Sequence, residues 1–208
     1  MKGFKGVKAY ICGEIKTVDI GIENGKIAFV GNGGDIESIC EVNGVLLPGF
    51  IDEHIHGAGG ADAMDATAES LQTISEYLAK EGTTAFLATT RTQSEENIKK
   101  ALKNAANVIN KGEFKGAEVL GVHLEGPFIS PKHVGAQPLE YVVKPSAEKF
   151  AEYQKAADGY IKIVTLAPEE EGGAELISAL CAQGVVPSIG HTAAKYDDVV
   201  KAVESGLK

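Results

Sequence analysis

Two histidines separated by one residue, His54 and His56, form the clearest chemical pattern in the sequence. They end a segment, residues 50–56, that is predicted to be a β-strand, and alternate residues of a strand face the same side. The two imidazoles therefore converge, while Ile55 points into the packing on the other side. Two neutral imidazoles on one face make half of a site for Zn²⁺ or Fe²⁺. Taken alone, the pair also fits two unrelated histidines on an edge strand.

A glutamate, Glu125, stands at the end of a later apolar run, directly before Gly126-Pro127. A carboxylate at that position can bind one metal ion or bridge two, although a solvated loop glutamate is the ordinary interpretation of a glutamate taken alone. His123 precedes Glu125 by two residues, so both face one side if the strand persists. For His123, a role that positions a ligand, or a purely structural one, is favoured over direct metal binding.

Three further residues accompany these candidates. His191 ends a strand in Ser188-Ile189-Gly190-His191-Thr192 and joins the metal candidates at the strand ends. His133 lies in a loop after Glu125, where a solvent-exposed histidine is the ordinary interpretation. Arg91, the only arginine, follows another strand and is expected in a structural salt bridge rather than an anion site.

The elements that carry these residues alternate between strands and helices. This rhythm indicates right-handed βαβ units on a parallel sheet, which fits either a doubly wound sheet or a (β/α)8 barrel. Because the polar residues fall at the carboxyl ends of strands one, three and five, the barrel is favoured. The predicted strands are residues 50–56, 83–89, 119–124, 161–166 and 185–189, and the predicted helices are 68–81, 94–110, 147–157, 173–183 and 197–204.

The sequence predicts two parts. Residues 1–48 read as a small β-sandwich portion with a hairpin at Glu23-Asn24-Gly25. Residues 49–208 read as an α/β region with about five of the eight strands of a (β/α)8 barrel. The last residues follow a helix with the barrel unclosed, so we expect the N-terminal portion of a longer protein.

Composition narrows the possible partners. The chain of 208 residues has a formal net charge of −9, which disfavours nucleic acid and anionic membrane surfaces as partners. No signal peptide or membrane span is visible. The three cysteines form no disulfide framework and are expected to be buried small apolar residues. A cytoplasmic location is therefore expected.

Four sequence runs resemble the signatures of a known family. LPGFIDEHIHG at 47–57 is similar to the first-strand signature of the amidohydrolase superfamily. VHLEGPFI at 122–129 resembles the third-strand signature of one branch, the N-acetylglucosamine-6-phosphate deacetylases. TLAPE at 165–169 and IGHT at 189–192 are similar to the fourth- and fifth-strand signatures of that branch. The runs occur in the family's order and cover the chain from about residue 44.

The resemblance implies a fold, a reaction and a ligand set. It implies a (β/α)8 barrel with a small β-sandwich built from both ends of the chain, a homodimer, and removal of acetate from N-acetylglucosamine 6-phosphate. Glu125 and His191 would be metal ligands. His54 and His56 are both present, so one or two divalent ions, Zn or Fe, are compatible with the sequence. Ala136 and Gln137 would contact the sugar phosphate, and His133 would lie over the same mouth.

Some functional residues of the family are expected beyond Lys208. They include a second histidine ligand after strand six and the aspartate at strand eight that acts as general base and acid. The chain alone is therefore expected to have little or no deacetylase activity. Two alternatives stay open from the sequence: another amidohydrolase, such as a dihydroorotase or an adenine deaminase, and a non-catalytic metal-binding fragment.

Overall fold

The computed structural model describes residues 1–113 and 115–208, which form two compact units, Met1–Gly49 and Phe50–Lys208. The first unit is one mixed five-stranded sheet. Strand β1 lies inside it and pairs antiparallel with β2 and parallel with two short strands, β4 and β5, while β3 pairs with β2. The strands are β1 (Lys2–Ile11), β2 (Glu14–Glu23), β3 (Lys26–Gly31), β4 (Glu37–Ser38) and β5 (Val45–Leu46).

The hairpins of this unit follow from residues that accept a left-handed backbone. Asn24 and Gly25 have φ values of 51° and 72°, which suits the tight turn predicted between β2 and β3. Strand β1 carries an irregularity between Phe4 and Val7. There the buried carboxylate of Asp19 accepts hydrogen bonds from the backbone N–H of Gly6 and of Gly33. One carboxylate thus satisfies two backbone donors that the strand ladder leaves free.

The second unit is built on a five-stranded parallel sheet with strand order β12-β11-β10-β9-β6. A short antiparallel hairpin, β7 with β8, follows the first strand of that sheet. The strands are β6 (Phe50–Ile55), β7 (Gly57–Ala58), β8 (Ala61–Asp62), β9 (Thr83–Thr89), β10 (Glu118–Glu125), β11 (Ile161–Leu166) and β12 (Val186–Ile189).

Among the described residues, five α-helices connect and follow these strands, close to the predicted positions. Hydroxyl side chains cap the first three, since Thr67, Ser94 and Ser146 each accept a hydrogen bond from a first-turn backbone N–H. The helices are α1 (Ala68–Lys80), α2 (Glu95–Lys111), α3 (Ala147–Ala156), α4 (Gly173–Ala182) and α5 (Tyr196–Glu204). Five successive strand–helix units match part of a (β/α)8 barrel, which confirms the predicted fold class.

The core of the second unit lies between the sheet and its helices. Leu124 on β10 and Leu166 on β11 are completely buried, as are Ile98 on α2 and Leu176 on α4. Ile55 packs against this cluster, as the alternation of β6 predicts. Because the apolar side chains of the central strand β10 are buried in this core, the position of the polar residue at its end, Glu125, is fixed.

The prediction that the cysteines are buried is wrong. All three are free and exposed. Cys12 lies in the turn between β1 and β2 with a φ of 50°, and Cys181 lies near the end of α4. Turns and helix ends place short side chains next to solvent, whatever their apolar character. Among the described residues, the helices are all too short or too polar to cross a membrane.

Candidate metal centre

Glu125 is the centre of the site. It is the last residue of β10, the middle strand of the parallel sheet, and only 7% of its surface is exposed. The next residue, Gly126, has a φ of 72°, and a Cβ there would lie 2.1 Å from the Thr92 hydroxyl oxygen. Only glycine fits both this backbone conformation and this close approach. The strand can therefore turn away sharply and leave the carboxylate at its end.

Three histidines surround that carboxylate. His56 Nε2 lies 3.2 Å from Glu125 Oε2, while His54 Nε2 and His191 Nε2 lie 3.6 Å and 3.4 Å from Oε1. Ligand atoms of His54, His56 and Glu125 all lie within 4.8 Å of one another. His191 is outside that mutual group but reaches the same carboxylate. The structure thus brings together the four residues that the sequence proposes as metal ligands.

The geometry shows that the sheet is strongly curved. His54 belongs to one edge strand, β6, and His191 follows the other edge strand, β12. Four strand spacings of a flat sheet would separate these edges by about 19 Å. The two Nε2 atoms contact one oxygen, so they are at most 7.0 Å apart. The carboxyl ends of the strands therefore converge as they do at the mouth of a barrel.

The distances from the three imidazoles to Glu125 fit ligands of a divalent metal ion. Two ligand atoms at about 2.1 Å from one tetrahedral ion are separated by about 3.4 Å. The observed separations between nitrogen and oxygen, 3.2 to 3.6 Å, match that value. Two of the rings also face backbone carbonyls through Nδ1: His56 lies 3.2 Å from Thr89 O, and His191 lies 3.2 Å from His133 O. A carbonyl oxygen keeps the proton on Nδ1, so each Nε2 offers a lone pair to a metal.

His123 contacts protein groups beside the candidate ligands through both ring nitrogens. Its Nδ1 donates to the Glu53 carbonyl over 2.9 Å, and its Nε2 lies 2.7 Å from the Thr165 hydroxyl. The same Nδ1 lies 3.4 Å from His54 Nδ1. Burial lowers the pKa of His123, so the ring stays neutral. Because groups of the protein contact both ring nitrogens, these contacts agree with the positioning or structural role that the sequence favours for His123.

The charges in the site stabilise one another. Burial alone would raise the pKa of Glu125, but the hydrogen bond with His56 and the neighbouring imidazoles outweigh burial and lower it. The hydrogen bond to Glu125 raises the pKa of His56 despite partial burial. Glu125 is therefore a carboxylate near neutral pH, which is the form that binds a metal.

The loop after β10 carries the three residues predicted to contact substrate. His133 is exposed, and its backbone carbonyl meets His191. Ala136 lines a cavity of about 270 Å³ beside Arg91 and Thr92. Gln137 is buried and bonded to protein groups. The substrate roles of His133, Ala136 and Gln137 stay predictions.

Two features of the surroundings complete the site. Arg91 forms the expected salt bridge, 2.5 Å from Asp62 at the end of the β7–β8 hairpin. A cavity of about 590 Å³ opens in front of the carboxylate and is large enough for a small substrate. Residues that line this cavity include Glu53, His54, His123, Glu125, Thr165 and His191.

Sequence reasoning missed two side chains that shape the site. Thr165 meets His123, and Glu169 accepts hydrogen bonds from the Thr192 hydroxyl and the Ala193 N–H next to His191. Both Thr165 and Glu169 lie in the TLAPE run. The run marks the region in the sequence, but the partners of its side chains become visible only in the fold.

Comparison with known proteins identifies the family. Residues 45–206 match the amidohydrolase family. The chain belongs to the amidohydrolase family. This family is metal-dependent, and His54, His56 and Glu125 give the chain a candidate metal centre in keeping with it.

Relatives of this amidohydrolase chain carry a narrower name. The chain is 46% identical over 203 residues to an N-acetylglucosamine-6-phosphate deacetylase of Bacillus subtilis (strain 168), covering 93% of this chain and 51% of that protein. It is 35% identical to an N-acetylgalactosamine-6-phosphate deacetylase of Escherichia coli O157:H7, covering 78% of this chain and 43% of that protein. The chain thus spans about half the length of the curated relatives it matches.

The fold comparison agrees with the sequence comparison. A crystal structure of N-acetylglucosamine-6-phosphate deacetylase from Thermotoga maritima superimposes with a TM-score of 0.82 at 35% identity. The match covers 98% of this chain and 52% of that one. Both the predicted partial barrel and the predicted resemblance to the deacetylases are therefore confirmed.

Proposed function

We propose that this chain supplies metal-binding residues of an N-acetylglucosamine-6-phosphate deacetylase, which hydrolyses its substrate to glucosamine 6-phosphate and acetate. The observation that carries the proposal is the buried Glu125 carboxylate with three imidazole nitrogens within 3.6 Å. The 46% identity to the Bacillus subtilis deacetylase supports the choice of substrate.

In this proposal, His54, His56, Glu125 and His191 hold one or two Zn or Fe ions. A bound divalent ion polarises the amide carbonyl and lowers the pKa of water toward neutrality. The protein's own residues supply the rest of the arrangement. Backbone carbonyls of Thr89 and His133 orient two of the imidazoles, and the curved sheet places the cavity directly in front of the carboxylate.

The reaction needs a proton carrier. A water oxygen adds to the acetyl carbon, the bond from carbon to nitrogen breaks, and the leaving amine gains a proton. Among the described residues, the carboxylates that line the cavity are Glu53 and Glu125, and histidines already engage Glu125. The resemblance assigns proton transfer to an aspartate outside residues 1–208. We therefore propose that the 208-residue polypeptide alone turns over little substrate, since general acid–base catalysis contributes about 10²–10⁴-fold.

A second substrate has a specific observation in its favour. The Escherichia coli relative acts, by its name, on N-acetylgalactosamine 6-phosphate, which differs only in the orientation of one hydroxyl group. Its lower identity, 35% against 46%, favours the glucosamine substrate. The other amidohydrolase reactions considered from the sequence are not favoured, because the relatives described above are deacetylases.

The test is acetate release from both sugar phosphates by the gene product that contains this chain, with and without a chelator. We expect turnover of N-acetylglucosamine 6-phosphate that a chelator abolishes and added Zn²⁺ restores. Glu125→Gln is expected to abolish turnover, whereas Glu81→Gln, at an exposed helix end, serves as the matched control. Chelator-resistant turnover, or full activity of Glu125→Gln, would contradict the proposal.

Partner and location follow from the same proposal. A homodimer is proposed from the resemblance, and light scattering of the gene product tests it. A cytoplasmic location is proposed in keeping with three free cysteines. The proposed small-molecule partner is the sugar phosphate itself.

A further inference from the structure

The buried amide of Gln137 has two partners, both of them protein groups near the candidate metal centre. Its Oε1 accepts a hydrogen bond from the backbone N–H of Thr92 over 2.6 Å. Its Nε2 donates to Glu125 Oε2 over 2.5 Å. Only 7% of the Gln137 surface is exposed. The amide thus joins the loop after β9 to the carboxylate at the end of β10.

The partners fix which way round the amide lies. A backbone N–H can only donate, so the Gln137 oxygen must face Thr92. The NH₂ group is then left to face Glu125, where it meets an acceptor. In this arrangement Glu125 accepts the hydrogen bond. A flipped amide would place its oxygen against Glu125 and its NH₂ group against the Thr92 N–H, so both hydrogen bonds would be lost.

The hydrogen bond selects one orientation of the carboxylate. The terminal torsion of a glutamate is broad and roughly two-fold, so packing alone orients the carboxylate plane poorly. Gln137 binds Oε2, the oxygen that faces His56, and leaves Oε1 toward His54 and His191. Because the two oxygens are chemically equivalent, the donor fixes the angle of the carboxylate plane, with one oxygen toward His56 and the other toward His54 and His191.

We infer that Gln137 is a positioning residue that orients Glu125 for metal binding and thereby sets the metal affinity of the site. The inference rests on the metal centre of the proposed function and deepens it. Groups that hydrogen-bond to metal ligands typically change metal affinity by about 10–100-fold when they are removed. Gln137 acts through Glu125, and both of its amide atoms are engaged by the protein.

Two substitutions separate this role from ordinary loop anchoring. Gln137→Glu keeps an oxygen for the Thr92 N–H but places an oxygen instead of the donor against Glu125. Gln137→Met keeps a similar volume and loses both hydrogen bonds. Gln154→Met is the matched control, because Gln154 bridges the backbone N–H and C=O of Ile161 at the far, amino-terminal end of β11.

The experiment measures the Zn²⁺ dissociation constant of the gene product that contains this chain by competition with a chromophoric chelator, together with thermal unfolding in chelator. We expect both Gln137 variants to bind Zn²⁺ about 10–100-fold more weakly than wild type. Gln154→Met is expected to unfold at a lower temperature with unchanged Zn²⁺ affinity.

Three outcomes would overturn the inference. Unchanged affinity in Gln137→Glu, with or without a loss in Gln137→Met, would reduce Gln137 to a loop anchor. An equal loss of affinity in Gln154→Met would point to general destabilisation. Absence of Zn²⁺ binding by wild type would refute the metal centre itself, and this inference with it. If Gln137→Met does not fold, Gln137→Glu decides alone, because it matches glutamine in size.

Discussion

Metal binding should stabilise the chain by an amount that depends on Glu125. Free Zn²⁺ at 100 times its dissociation constant stabilises a folded protein by about 2.7 kcal/mol. The unit that carries the site, Phe50–Lys208, falls in the size range where 1 kcal/mol shifts Tm by about 2–4 °C. We therefore expect a rise in Tm of about 5–11 °C in wild type.

Glu125→Gln is expected to remove that rise. The substitution keeps the size of the side chain but replaces the only carboxylate in the group of candidate ligands His54, His56 and Glu125. Calorimetry with and without Zn²⁺ gives the shift for each variant separately, so a change in metal-free stability does not confuse the comparison. Glu81→Gln should keep the full shift.

Two results would refute this reasoning. If Glu125→Gln keeps the wild-type shift, Zn²⁺ binds elsewhere and the four residues are not its ligands. If no variant shifts at saturating Zn²⁺, the separations of 3.2 to 3.6 Å reflect ion pairs between histidine and carboxylate and nothing more.

Three more predictions concern the same site and its scaffold. Zn²⁺ affinity should rise with pH, because the hydrogen bond to Glu125 raises the pKa of His56 and the metal must displace the proton from that imidazole. Titration calorimetry in several buffers should show proton release on Zn²⁺ binding. Its absence would count against His56 as a ligand. Glu169→Gln should weaken Zn²⁺ binding about 10-fold, because Glu169 accepts a hydrogen bond from Thr192, next to the candidate ligand His191. Unchanged affinity in a chelator competition would contradict this. Glu95 on α2 has a pKa lowered to about 2 by hydrogen bonds to two lysines. Its contribution to stability should be present above about pH 4.3, its ordinary range, and be lost as pH falls toward 2. The Tm difference between wild type and Glu95→Gln, followed from pH 7 to pH 2, tests this, and a difference that stays constant would contradict it.

The grouping of the candidate ligands was predictable because each one lies at a place that local rules define. His54 and His56 converge through the two-residue period of a strand, and Glu125 follows a buried apolar run before a glycine. The carboxyl ends of parallel strands meet at one mouth, so strand assignment was sufficient to group these residues with His191.

The supporting contacts were not predictable for an equally physical reason. Gln137 reaches Glu125 through the path of an irregular loop, and His133 acts on His191 through its backbone carbonyl. No period or propensity determines such contacts. The exposed Cys12 makes the same point, since a turn with a φ of 50° overrides the usual burial of cysteine.

The strand order gives the metal centre a mechanical consequence. Its candidate ligands come from both edge strands, β6 and β12, and from the middle strand β10. A bound ion would therefore act as a cross-link between chain segments that are far apart in sequence, and such a link removes the most freedom from the unfolded chain when the loop it closes is long. It would also resist flattening of the curved sheet, which requires His54 and His191 to separate. A bound metal ion should thus slow unfolding of the whole second unit, and not only of the strand ends that carry the four candidate ligands.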